Sequence, residues 1–182
     1  PRPCTYALGK INPPADFPPT DPKLRPFVII DPRAGHGAGI GGFKSDMTGT
    51  KAMAIEQFAR ETGRACLRFD YSGHGQSGGD FEDGTISRWL EETLAVIRAK
   101  TRGRQALIGS SMGGWLALLA ARALAEAGEE DRIAGLVLIA PAVDFTATLM
   151  EPGLSKKAKA EIEKTGRWLR PSEYSPDPYP IT

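Results

Sequence analysis

Short apolar runs alternate along this chain with longer segments in which apolar side chains recur every three or four positions. The runs are Phe27-Val28-Ile29-Ile30, Ala65 to Phe69, Ala106-Leu107-Ile108 and Leu136-Val137-Leu138-Ile139. Runs of this length that do not alternate with polar residues are expected of strands buried on both faces. Between them, residues 51–62 set Ala52, Ile55, Phe58 and Ala59 on one helical face and stop at Gly63. Residues 85–100 do the same with Ile86, Trp89, Leu90, Thr93, Val96 and Ile97, and an Ala/Leu-rich helix leaves the third run and closes at Gly128. This alternation predicts βαβ crossovers and therefore an α/β fold, a parallel sheet with helices on both faces. In such a sheet chemistry gathers at the carboxyl ends of the strands, which would bring together Gly42/Phe43, Asp70/His74, Ser111 and Asp144.

The pattern fails at both ends. Residues 1–26 carry eight prolines and little periodicity, and are expected to form an extended arm. The core is expected over 27–143. From Asp144 onward the composition changes, and 144–182 reads as a lid or cap segment. Its stretch SKKAKAEIEKT, 155–165, has the charge density of a solvated helix. Trp168 either packs within this segment or lines an acyl pocket.

Composition narrows the partners more than it names one. A chain of 182 residues has room for one domain with a sizeable core. A formal charge of +1 gives no electrostatic reason to expect nucleic acid or an anionic membrane, and no apolar run is long enough to span a bilayer. Of the two cysteines, Cys4 and Cys66, the second lies in a strand run and is expected as a small core residue; a reducing, cytoplasmic setting follows as the expectation. Gly37, Gly39 and Gly42, and again Gly73, Gly75 and Gly78, spell the dinucleotide pattern G-x-G-x-x-G. Each is followed by loop-like residues rather than a helix N-terminus, so nucleotide binding is not expected.

The chemistry points instead to Gly109-Ser110-Ser111-Met112-Gly113-Gly114, between the third strand and the helix after it. A serine in the middle of a G-x-S-x-G turn from strand to helix is lifted clear of the sheet beside the first backbone N–H groups of the helix, and flanking glycines are needed where a side chain would strike neighbouring backbone. Ser111 is the candidate nucleophile. Ser110 is not, because centring the motif on it would require glycine where Ile108 stands.

With this turn, the loop Asp70-Tyr71-Ser72-Gly73-His74-Gly75-Gln76-Ser77 and Gly41-Gly42-Phe43 in view, the chain resembles the α/β-hydrolases. From about Gly41 to Tyr179 it is similar to the abhydrolase-domain-10 type esterases and thioesterases, through GGFKSDMTGTKA, RFDYSGHGQSGG, GSSMGGW and Lys164-Thr165-Gly166-Arg167-Trp168. Residues 21–43 look like a bacterial hydrolase family related to polyhydroxyalkanoate synthases, so a junction of two families would fall near GGFK. The resemblance implies a serine hydrolase that cleaves carboxylic esters or thioesters through an acyl-serine intermediate, without metal or cofactor. It implies an oxyanion hole made by the backbone N–H groups of Met112 and Phe43. It also implies an order of Ser, then Asp or Glu, then His, and here the pattern breaks: the only histidines, His36 and His74, precede Ser111. His74 belongs to a loop whose role in this superfamily is structural, His36 to a Gly-rich loop on the oxyanion side, and Asp144 is read as a turn or cap residue before it is read as the acid. The expectation is an N-terminal part of such an enzyme, inactive alone. The alternative is a non-catalytic fragment or fold relic with a ligand pocket.

Overall fold

The computed structural model of the chain describes residues 8–9, 24, 27–30, 49–170 and 178–181. They fall into two compact units, 1–143 and 144–182.

The first unit is built on a five-stranded sheet. Its strands are β1 (Leu8–Gly9), β2 (Phe27–Ile30), β3 (Cys66–Phe69), β4 (Gln105–Ser110) and β5 (Ile133–Ile139), in the order β1-β3-β2-β4-β5. All neighbours are parallel except β1, which runs antiparallel to β3 at the edge. Helices α1 (Thr50–Glu61), α2 (Ile86–Lys100) and α3 (Met112–Glu126) make the crossovers. The chain steps from β2 outward to β3 and then back across β2 to β4, so right-handed connections place α1 on one face and α2 with α3 on the other. The strands after which the chain departs in opposite directions are β2 and β4, and the crevice of an open α/β sheet lies beyond their carboxyl ends.

The helices form where the apolar spacing predicts them, and their ends are set by local chemistry. Thr85 caps α2 by accepting the Arg88 N–H on its hydroxyl at 3.1 Å. Gly63 and Gly128, at φ 66° and 70°, turn the chain after α1 and α3. On α3, Leu116, Ala117, Ala120 and Leu124 are wholly buried, and on β2 and β4 so are Val28 and Leu107. Each large aliphatic side chain in that layer contributes roughly 1.5–3 kcal/mol by leaving water.

Three details depart from the sequence reading. On α1 the buried stripe is Ala52, Glu56 and Ala59, while Phe58 is 54% exposed and stacks on the Phe27 ring at 6.2 Å. Glu56 is buried because two cations meet it there, Arg60 at 2.5 Å and Arg68 from β3 at 2.6 Å. The strand β5 begins at Ile133, three residues earlier than its apolar run, and none of its residues is fully buried, Val137 being 50% exposed. Within the proline-rich arm, Leu8–Gly9 pairs with Phe69 and Arg68, which two residues without alternation could not announce.

In the second unit, a helical turn over 146–150 leads through Glu151–Gly153 to a helix over Lys156–Thr165. Ser155 caps that helix with its hydroxyl on the Ala158 N–H, and Gly166 ends it at φ 77°. Trp168–Arg170 then pairs antiparallel with Tyr179–Ile181, and the Trp168 side chain is half-buried.

Candidate active site

The turn after β4 is held from both sides. Within the sheet, Gly109 lies between Ile30 and Leu138, and Ser110 is paired with Ile139. The next residue, Ser111, turns to φ 54° and ψ −123°, a conformation that an L-residue adopts only when its surroundings impose it. Here the following strand imposes it: the Ser111 N–H donates to the Ile139 carbonyl at 3.0 Å, and the Ser111 carbonyl accepts from Ala142 N–H at 3.0 Å. That same carbonyl also accepts from Gly114 and Trp115, starting α3. The N–H groups of Met112 and Gly113 thus stand before the first intrahelical donor, Gly114 N–H, at the positive end of the helix. Ser111 is half-buried, and its hydroxyl caps no helical N–H.

Glycine is required at two places around it. A Cβ on Gly109 would strike the Gly113 carbonyl oxygen and lie 2.8 Å from Gly114 Cα; one on Gly114 would lie 2.8 Å from Pro141 Cβ. Strand, turn and the chain after β5 therefore meet at van der Waals distance. On the opposite face of β4, Ser110 is buried and its hydroxyl accepts a hydrogen bond from Lys51 Nζ, in the first turn of α1, at 2.8 Å. Sequence reasoning misses Lys51, since a lone lysine at a helix start reads as a solvated residue.

The loop after β3 is a closed structural knot. Asp70 is buried, its carboxylate accepting the Gln76 N–H at 3.0 Å and its carbonyl the Ser77 hydroxyl at 2.7 Å. Ser72 gives both its N–H and its hydroxyl to the carboxylate of Glu92 on α2, at 3.0 and 2.6 Å. Its carbonyl receives Trp89 Nε1 and faces His74 Nδ1, each at 3.2 Å. His74, 3% exposed, is ringed by Tyr71, Phe81 and Trp89. Burial lowers its pKa, against the opposing pull of the Ser72 carbonyl, Asp70 and Glu92. Its contacts hold the loop to α2, and none is to Ser111. Gly73 is obligatory, for φ 74° and because a Cβ would lie 2.6 Å from Phe81 Cα. After Gly78 comes a short turn over Phe81–Asp83, and α2 starts only at Ile86.

The other candidates separate. Phe43, Gly42 and His36 lie outside the described residues, as does Cys4. Cys66 is a free thiol, half-buried rather than sealed in the core. Burial first and Glu56 second push its pKa up to about 12, with Arg68 opposing. Asp144, exposed and at φ 53°, starts the helical turn of the second unit with its carbonyl, which accepts from Thr148 N–H and hydroxyl at 2.9 and 2.8 Å.

A putative hydrolase from Agrobacterium vitis S4 has a solved structure similar to all of this chain and to 69% of its own, at 41% identity and a TM-score of 0.78. This chain belongs to the α/β-hydrolases. A family model described as "Protein of unknown function (DUF3141)" matches residues 1–143, so this α/β-hydrolase is also a member of that family. It is 43% identical over 136 residues, 75% of its length, to the human (Homo sapiens) palmitoyl-protein thioesterase ABHD10, mitochondrial. The structure of mouse alpha/beta hydrolase domain-containing protein 10 covers 94% of it at 32% identity and a TM-score of 0.67, with 58% of the mouse chain matched. The chain spans about two-fifths of the human relative, 42%.

Proposed function

We propose that this chain carries the nucleophile of a serine hydrolase, and that Ser111 Oγ attacks the acyl carbon of a carboxylic ester or thioester. The Oγ–C bond forms, the serine proton passes through a general base to the departing alcohol or thiol, and water then releases the acid from the acyl-serine. The observation that carries this reading is the strained turn that sets Ser111 immediately before the N–H groups that open α3. Met112 N–H is the oxyanion donor in this reading, and Phe43 N–H the second by resemblance. The name of the human relative, a palmitoyl-protein thioesterase, supports the thioester branch. The second unit, 144–182, is read as a lid or cap segment, and the free thiol of Cys66 fits a reducing compartment.

A second reading has one observation in its favour: no histidine follows Ser111 in these 182 residues. On that reading the fold keeps a pocket without turnover. One experiment separates the two. A fluorophosphonate probe is applied to the 182-residue chain and to the product of the gene's whole reading frame. Labelling of the latter that disappears in Ser111→Ala and persists in Ser110→Ala supports the hydrolase. The reverse pattern would move the nucleophile to Ser110, and an unlabelled protein supports the non-catalytic reading.

A further inference from the structure

Among the described residues, the cation beside the serine pair has no carboxylate. Arg60 and Arg68 share Glu56, and Arg98 and Arg132 share Glu129, but among these residues Lys51 bonds to Ser110 Oγ and to no carboxylate. An ammonium is strongly hydrated, and drawing it onto a neutral, buried hydroxyl forfeits hydration that a carboxylate would have replaced. Stability alone gives little reason for that contact. Its place in the fold gives one: α1 and α3 lie on opposite faces of the sheet, so Lys51 and the N-terminus of α3 bring positive charge to the carboxyl end of β4 from both sides. Next to Ser110, between them, stands Ser111, the proposed nucleophile.

Resting on the acyl-serine reading, we propose that Lys51 is a positioning residue for the reaction at Ser111. Acting through Ser110, its ammonium fixes one hydroxyl orientation at the end of β4 and supplies fixed positive potential where the oxyanion develops. A preorganised charge of this kind stabilises the transition state more than the bound ester, because the ester's carbonyl carries little charge before attack.

The test uses the product of the whole reading frame, with a fluorophosphonate and p-nitrophenyl acetate as probes. In the first reaction the Oγ–P bond forms, the P–F bond breaks, fluoride leaves and the serine proton passes to a base. Lys51→Met is expected to slow labelling of Ser111 by about tenfold, well below what a unit charge in direct contact gives at an effective dielectric constant near ~20, because Lys51 acts through Ser110. With p-nitrophenyl acetate the loss should fall in kcat, with KM within about twofold of wild type. Lys51→Arg, which keeps the charge, should recover most of the rate; Lys51→Gln replaces the Met variant if the latter does not fold. Equal labelling rates in wild type and Lys51→Met would overturn the role of Lys51 alone. A loss that tracks a lower melting temperature and is not recovered by Lys51→Arg would reduce it to a structural contact. An unlabelled wild type would overturn the acyl-serine reading and this inference together.

Discussion

Alanine at Gly109 would put a methyl group into the Gly113 carbonyl oxygen, and the backbone that carries each cannot move without breaking β4 or α3. Gly109→Ala should therefore cost at least about 3 kcal/mol, at the severe end for single substitutions. Gly128→Ala meets nothing within 4 Å and carries only the left-handed backbone penalty, about 1–2 kcal/mol. Urea denaturation of the two variants beside wild type checks the ranking; equal midpoints would show that the turn yields. This difference explains why the turn at Ser111 is legible in the sequence while the contact of Lys51 is not. The glycines around Ser111 are forced by close backbone approach and so leave a local pattern. The contact of Lys51 with Ser110 joins residues 59 positions apart, and nothing local marks either end of it.

Between elements, the loop after β3 is tied to α2 through an aromatic and carboxylate cluster that contains a neutral histidine. His74 has a lowered pKa in the folded chain, so on acidification the unfolded chain binds its proton first. Stability contributed by neutral His74 is complete above the unfolded value near ~6.5 and declines as pH falls below it. Urea midpoints measured from about pH 7.5 to 5.5 should drop in wild type and drop less steeply in His74→Gln, whatever the variant's absolute stability. A parallel pair of curves would mean that the ring protonates without leaving its cage. Strand and helix positions are readable because each element buries one face, and the apolar spacing records that face. The exceptions share a cause: the record is kept in apolar residues only. Glu56 occupies the stripe of Ala52 and Ala59 because two arginines neutralise it, and Phe58 sits off the stripe because Phe27 offers it a ring. Likewise β5 has the composition of a buried strand, whereas among the described residues β4 is its sole neighbour in the sheet.

For the molecule as a whole, the question is what a serine turn does without a histidine after it. A serine hydroxyl is a weak nucleophile until a base takes its proton, and loss of the base in a serine enzyme costs about 10⁶ in kcat. The 182-residue chain is therefore expected to turn over a p-nitrophenyl ester well below about 1 s⁻¹, the low end of ordinary enzymes. Turnover above that rate, abolished by His36→Ala, would instead make the Gly-rich loop after β2 the source of the base.

The hold that β5 keeps on the serine has a consequence for synthesis. Ser111 leaves the ribosome ahead of Ile139 and Ala142, whose carbonyl and N–H hold its backbone in the strained conformation. A nascent chain that has completed α3 already possesses the serine, the glycines and the helix, yet lacks the clamp that cocks the turn. The turn at Ser111 is thus set only once β5 and the residues just after it have been made, so that a half-made chain carries this serine with its backbone unclamped.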